Sequence, residues 1–236
     1  MFKKLLVTAA VLASAAAQAQ IAGSVGFTVT GTIVPSPCAL TLSGNGIAAF
    51  GTLSTAHIKS GTSISSPDRY LTNVSEAKKL TLSVICSTPS KVALEFEDNR
   101  ISSTSGVADS VRWGLGNYTP AGGAAQKIGA YTVNFSNTTI KATTASPAIV
   151  AAKIMYMTGA ATAAGTWSAP LTNEASFLPP GKSLGLAALA AATTPDSLAE
   201  IKMEMSIGLE PLKSVVDTAT SSITLDGSGT VTLIVL

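Results

Sequence analysis

Apolar and polar residues alternate without a break through Ile201-Lys-Met203-Glu-Met205-Ser-Ile207-Gly-Leu209. Successive side chains of a strand point to opposite faces, whereas apolar positions on a helix recur every three or four residues. The run therefore predicts a strand with one face in a core. The same period returns in Val25-Gly-Phe27-Thr-Val29-Thr-Gly31-Thr-Ile33, Cys38-Ala-Leu40-Thr-Leu42, Leu80-Thr-Leu82-Ser-Val84-Ile-Cys86, Val92-Ala-Leu94-Glu-Phe96 and Val231-Thr-Leu233-Ile-Val235-Leu236. The turn residues Ser87-Thr-Pro89-Ser between two of these runs predict a hairpin. Shorter strands are expected at 111–115 and 128–135, with Gly122-Gly123 between them. Residues 140–200 carry weak periodicity, and Leu184 to Ala192 reads as a short helix ended before Pro195. Many short strands with Gly/Pro turns point to an all-β sandwich or barrel.

Composition narrows the function. Of 236 residues, 12% are charged and 46% hydrophobic, which favours a packed core over a disordered chain. There is no basic excess for a nucleic-acid partner. One His and two Cys are too few for a His/Cys metal site, and no cofactor is expected. Lys3-Lys4, the apolar run Leu5 to Ala13, and Ala17-Gln18-Ala19 read as a signal peptide over residues 1–19. The apolar run is too short to span a bilayer. With that leader go two of the 15 basic residues, so the mature chain balances its 13 acids and is neutral. In an oxidising compartment, Cys38 and Cys86 are most simply one disulfide. Closing a loop of roughly fifty residues contributes about 4 kcal/mol in the chain-entropy account.

The two ends do not suit an ordinary sandwich. Residues 20–34 are apolar, strand-forming and uncharged, and Pro35-Ser36-Pro37 sets them off from the rest. The last strand runs to the final residue. Uncharged edge strands aggregate unless they are covered, so the first segment is expected to pair within its own fold or with another chain. At these residues the sequence resembles chaperone–usher pilus subunits. The likeness is carried by Gly31-Thr-Ile33-Val34-Pro35-Ser36-Pro37-Cys38-Ala39-Leu40, by Gly46-Ile-Ala-Ala-Phe50-Gly51-Thr-Leu53, by Leu80 to Cys86, and by the terminal strand. Trp113-Gly-Leu-Gly116, Lys127-Ile-Gly129-Ala-Tyr131 and Leu225 to Leu236 resemble a fimbria-associated branch of secreted proteins. Many pilins carry an aromatic residue next to the C-terminus, where this chain has Val235.

The resemblance implies an immunoglobulin-like sandwich that lacks its last strand, spanning residues 35–236, preceded by a donor-strand extension at 20–34. Val25, Phe27, Val29, Gly31 and Ile33 would be donor positions. Val231, Leu233 and Val235 would border the acceptor groove and meet the chaperone. The implied partners are a periplasmic pilus chaperone, an outer-membrane usher and neighbouring subunits, with the product on the cell surface and no nucleic acid involved. The alternative is a soluble periplasmic or secreted sandwich that binds a ligand such as a carbohydrate.

Enzymatic chemistry finds little footing. His57 lies in Ser54-Thr-Ala-His57, and a surface histidine is expected there. Glu95, Glu97 and the adjoining Asp98 read as a solvated outer face rather than a paired-carboxylate cleft. Pro180-Gly-Lys182-Ser183 imitates the end of a phosphate loop, but position 176 is Ser where glycine is required. Asn73, Asn117, Asn134 and Asn137 begin glycosylation-type triplets, which are common by chance in so Ser/Thr-rich a chain. Trp113, Tyr118, Tyr131, Tyr156 and Trp167 are expected to pack in the sheets rather than line a sugar site.

Overall fold

A computed structural model describes residues 28, 30, 38–60, 68–71, 76–104, 111–136, 141–144, 149–162, 165–171, 175–188 and 191–236. The chain divides into two units, Met1–Pro35 and Ser36–Leu236. The expected leader and the donor positions Val25, Phe27, Val29, Gly31 and Ile33 lie outside the described residues.

The second unit is all-β and sandwich-like. Its strands are β1 (Cys38–Leu42), β2 (Lys78–Asp98), β3 (Arg112–Gly114), β4 (Asn117–Tyr118), β5 (Gln126–Lys127), β6 (Gly129–Ser136), β7 (Lys141–Thr143), β8 (Ile149–Val150), β9 (Lys153–Thr158), β10 (Ala175–Phe177), β11 (Lys182–Ala187), β12 (Ser197–Pro211) and β13 (Gly229–Val235). Two short helices, α1 (Thr55–Lys59) and α2 (Lys213–Thr218), interrupt them. The described pairings are antiparallel. One curled sheet runs β10-β6-β12-β2-β11-β9, with β1 and β13 both added to β2, and β4 pairs separately with β5.

The expected hairpin at Ser87–Ser90 is not what forms. Residues 78–98 make one long strand that folds over and serves both layers. Its first half pairs with β1 and β12, its second half with β11 and β13. The fold-over sits where the β12 register shifts between Leu198 and Glu200, opposite Ser90 and Ile85. Pro89 falls in this bulge, where the ladder needs no N–H from it. Leu80 pairs with Met205, Met205 with Phe135, and the Phe135 ring meets Phe96 at 5.7 Å. The two halves of β2 therefore face each other across the core. The disulfide Cys38–Cys86 closes at a directly opposed pair and ties β1 to the first half.

The helix expected over Leu184–Ala192 is also corrected, because residues 182–187 form β11, paired on both sides by β2 and β9. Ser183 to Ala187 are all buried, so both faces of the strand are covered and the alternating pattern vanishes. Burial on both faces hid β9 in the same way. β9 buries Ile154 on one side and Met155 and Met157 on the other. One core of Leu82, Leu94, Phe96, Trp113, Ile128, Phe135, Ile201 and Met203 fills the sandwich. A smaller one of Ala93, Met155, Met157, Trp167 and Ala187 lies on the outer face, against half-buried Ile234 and Leu236.

Candidate functional site: an open seam between two edge strands

β1 and β13 are both held by β2, one on each of its facing halves. Among the described residues, neither strand pairs on its other edge. An edge strand left in this state offers a row of unsatisfied N–H and C=O groups. Between the two edges the core opens into an apolar trough of about 360 Å³. Leu42, Ala48 and Phe50 form one lip, and Gly227 to Val231 form the other. Leu115, Tyr131, Met205 and Leu209 line its floor. Among the described residues, none that lines it is charged.

The β13 lip is seated by close contact. A Cβ on Gly227 would come within 2.9 Å of the Tyr131 ring, and one on Gly229 within 2.9 Å of Trp113. Glycine at both positions lets the backbone lie directly on this aromatic pair, whose centroids are 5.9 Å apart. Trp113 is fixed from below, donating from Nε1 to the Leu178 carbonyl at 2.9 Å. The turn before β13 is pinned by Arg100, which reaches the Asp226 carboxylate at 2.8 Å and donates to its carbonyl at 3.2 Å. Asp226 N donates to the Leu115 carbonyl at 3.1 Å.

Asp98 departs from the solvated face expected for it. It is buried, and its carboxylate accepts from Arg100 N at 2.8 Å and Gly114 N at 2.7 Å. It is a structural acceptor that joins the end of β2 to β3. Burial, with the Asp98 charge adding, pushes the Tyr131 phenol well above its usual range. Glu97 is exposed, and Glu95 is half-buried and accepts from Ala161 N at 2.6 Å.

Of the expected groove residues, Val231 lines the trough. Leu233 is half-buried against the main core. Val235 shares their face by alternation but is 45% exposed at the far end of β13. The opposite lip, Leu42 with Ala48 and Phe50, falls in segments quoted from the sequence as a strand and as part of the resemblance, but no groove role was expected of it. The floor residues Trp113 and Tyr131 are buried, as is Trp167, while Tyr118 and Tyr156 are half-buried. Lys182 and Ser183 belong to β11.

A second cavity of about 260 Å³ shares Leu115, Leu209 and Leu225 with the first. Ile58 of α1 and Val215 and Val216 of α2 wall it. His57 lies on α1, exposed, with Nε2 at 3.1 Å from Glu76. Lys59 meets Asp217 at 2.8 Å, and the Tyr70 hydroxyl donates to the same carboxylate at 2.9 Å. These bonds hold Asp217 below the ordinary carboxylate range, and the Asp217 bond raises Lys59. A buried charge cluster lies away from the trough, where Glu210 takes Arg112 and, at 3.4 Å, Arg69. No group of three or more metal-ligating side chains occurs among the described residues, and no described helix is long and apolar enough to cross a membrane.

Residues 27–139, a little under half of the chain, match a family model described as a protein of unknown function, DUF1120. That match runs from before β1 to just past β6 and takes in one lip and much of the floor of the trough, but not β12 or β13. No curated protein and no solved structure matches the chain.

Proposed function

We propose that this protein is a structural subunit of a chaperone–usher fimbria, assembled by donor-strand exchange and contributing to adhesion through the polymer. The observation that carries this reading is the seam, in which two unpaired edges flank a neutral apolar trough in a chain that also holds an uncharged, alternating segment at 20–34. A strand laid along β13 gains backbone hydrogen bonds, and its alternate side chains enter the trough. Four sizeable apolar side chains, Val25, Phe27, Val29 and Ile33, at ~1.5–3 kcal/mol each give roughly 6–12 kcal/mol gross. Ordering the segment offsets this by ~1–2 kcal/mol per residue, so the balance rests on the completeness of pairing. Gly31 fits a point of close backbone approach. A chaperone strand would occupy the seam before export, and the extension of the next subunit would replace it at the usher.

The test is deletion of residues 20–34 in the full chain, co-expressed with its chaperone and usher. Assembly is followed by electron microscopy and SDS-resistant ladders. Loss of polymer with the subunit still exported supports the reading. Unchanged polymer refutes donor-strand exchange through this segment, whereas an intact chain that forms no polymer favours the soluble ligand-binding sandwich.

A further inference from the structure

Among the described residues that line the trough, Trp113, Tyr131, Ser228 and Thr230 carry a hydrogen-bonding side chain. Three of them are partnered within the fold. Trp113 Nε1 donates to the Leu178 carbonyl. Asn99 Nδ2 donates to Ser228 Oγ and to Thr230 Oγ1, both at 3.1 Å, and Thr230 Oγ1 donates back to Asn99 Oδ1 at 3.2 Å. The Tyr131 hydroxyl has no hydrogen-bond partner among the described residues, although the residue is only 7% exposed. Buried polar groups are ordinarily paired, so this one asks for a reason. Its ring lies against Trp113 and directly under Gly227, where a Cβ would come within 2.9 Å of it. The ring therefore stands close beneath the lip, where a strand continuing along β13 would pass. Burial and the nearby Asp98 charge disfavour the phenolate, so the hydroxyl keeps its proton and remains a donor. A strand that covers the trough shuts this donor off from water, and leaving it unpaired is then costly. The trough thereby discriminates between occupants that bring an acceptor and those that do not. A main-chain carbonyl has two lone pairs, so it can accept from a phenol while still bonded in a ladder.

We propose that the Tyr131 hydroxyl is a recognition group of the seam, donating to a main-chain carbonyl of the 20–34 segment that a second copy of this chain lays in the trough. The inference rests on the donor-strand reading and adds one polar requirement to a site otherwise apolar. An apolar molecule that fills the trough satisfies its walls but not this hydroxyl.

Tyr131→Phe keeps the ring against Trp113 and under Gly227 and removes only the hydroxyl. Polymer of the full wild-type or variant chain, assembled with chaperone and usher, is dissociated in SDS at a fixed temperature, and the loss of the ladder is timed. Losing one hydrogen bond at the interface should shorten the lifetime of the variant polymer by roughly two- to tenfold. The urea midpoint of the purified mature chain, followed by tryptophan fluorescence, should stay unchanged or rise slightly, because the hydroxyl has no partner there to lose. Tyr118→Phe removes a hydroxyl that donates to Gln126 Oε1 at 3.4 Å and does not line the trough, and it should leave polymer lifetime unchanged. A Tyr131→Phe polymer as long-lived as wild type overturns the role of Tyr131 and leaves donor-strand exchange standing. A lowered urea midpoint also overturns it, by placing the partner of the hydroxyl inside the fold. A wild-type chain that forms no polymer, or polymer that survives loss of residues 20–34, removes the donor-strand reading and the proposed bond with it.

Discussion

Glu210 offers the sharpest test of how the far end of the sandwich is held. Its carboxylate serves two guanidinium groups, Arg112 and Arg69, and the three residues are 4%, 8% and 3% exposed. Leu209 faces the main core, so Glu210 points to the other side of β12, where Arg112 of β3 and the segment around Arg69 meet it. Glu210→Gln keeps the shape and removes a negative charge that faces two buried positive ones. Breaking a buried pair in this way costs about 3–5 kcal/mol. The exposed pair Lys79–Glu204, at 2.8 Å, serves as the internal control, because Glu204→Gln should cost no more than ~1 kcal/mol. Urea unfolding followed by the fluorescence of buried Trp113 and Trp167 measures both, with the denaturant slope expected to stay constant. At about 2–4 °C per kcal/mol for a domain of this size, Glu210→Gln should also lower the melting temperature by roughly 6–20 °C. Replacing all three residues together, as Arg69→Met, Arg112→Met and Glu210→Leu, should recover part of the loss, because the buried charges of this cluster are then removed together. A Glu210→Gln variant as stable as Glu204→Gln would refute the reasoning.

Two further outcomes follow from the aromatic pair beneath β13. Gly227→Ala places a methyl 2.9 Å from the Tyr131 ring and 3.3 Å from Leu115, and overpacking against a buried ring should cost about 1–3 kcal/mol in the same urea assay. In an alkaline titration followed at the phenolate absorbance, Tyr131 should stay protonated through the range in which a free phenol ionises. Its folded pKa is raised, so its contribution to stability is complete below the unfolded value near 10 and declines as pH rises above it. Ionisation of Tyr131 in the range of a free phenol, without loss of the fold, would contradict this.

The sequence by itself determined the strands with one wet and one dry face, because alternation records that asymmetry. β1, the two halves of β2, β12 and β13 were legible for this reason, and the disulfide matches the pairing expected of the chain's two cysteines. β11 was not legible, because a strand covered on both faces has no alternation to display. The fold-over of β2 was read as a hairpin, since a turn signal at Pro89 marks a reversal but does not say whether the halves pair edge to edge or face each other. Val231 could be assigned to a groove from the end of the chain, but the opposing lip at Ala48 and Phe50 needed three dimensions to find. Only the tertiary structure decided that Asp98 is a buried acceptor, that Glu210 sits between two arginines, and that Gly227 and Gly229 lie on Tyr131 and Trp113. Each of those facts joins residues distant in the chain. Their chemistry depends on desolvation by neighbours that local sequence does not name.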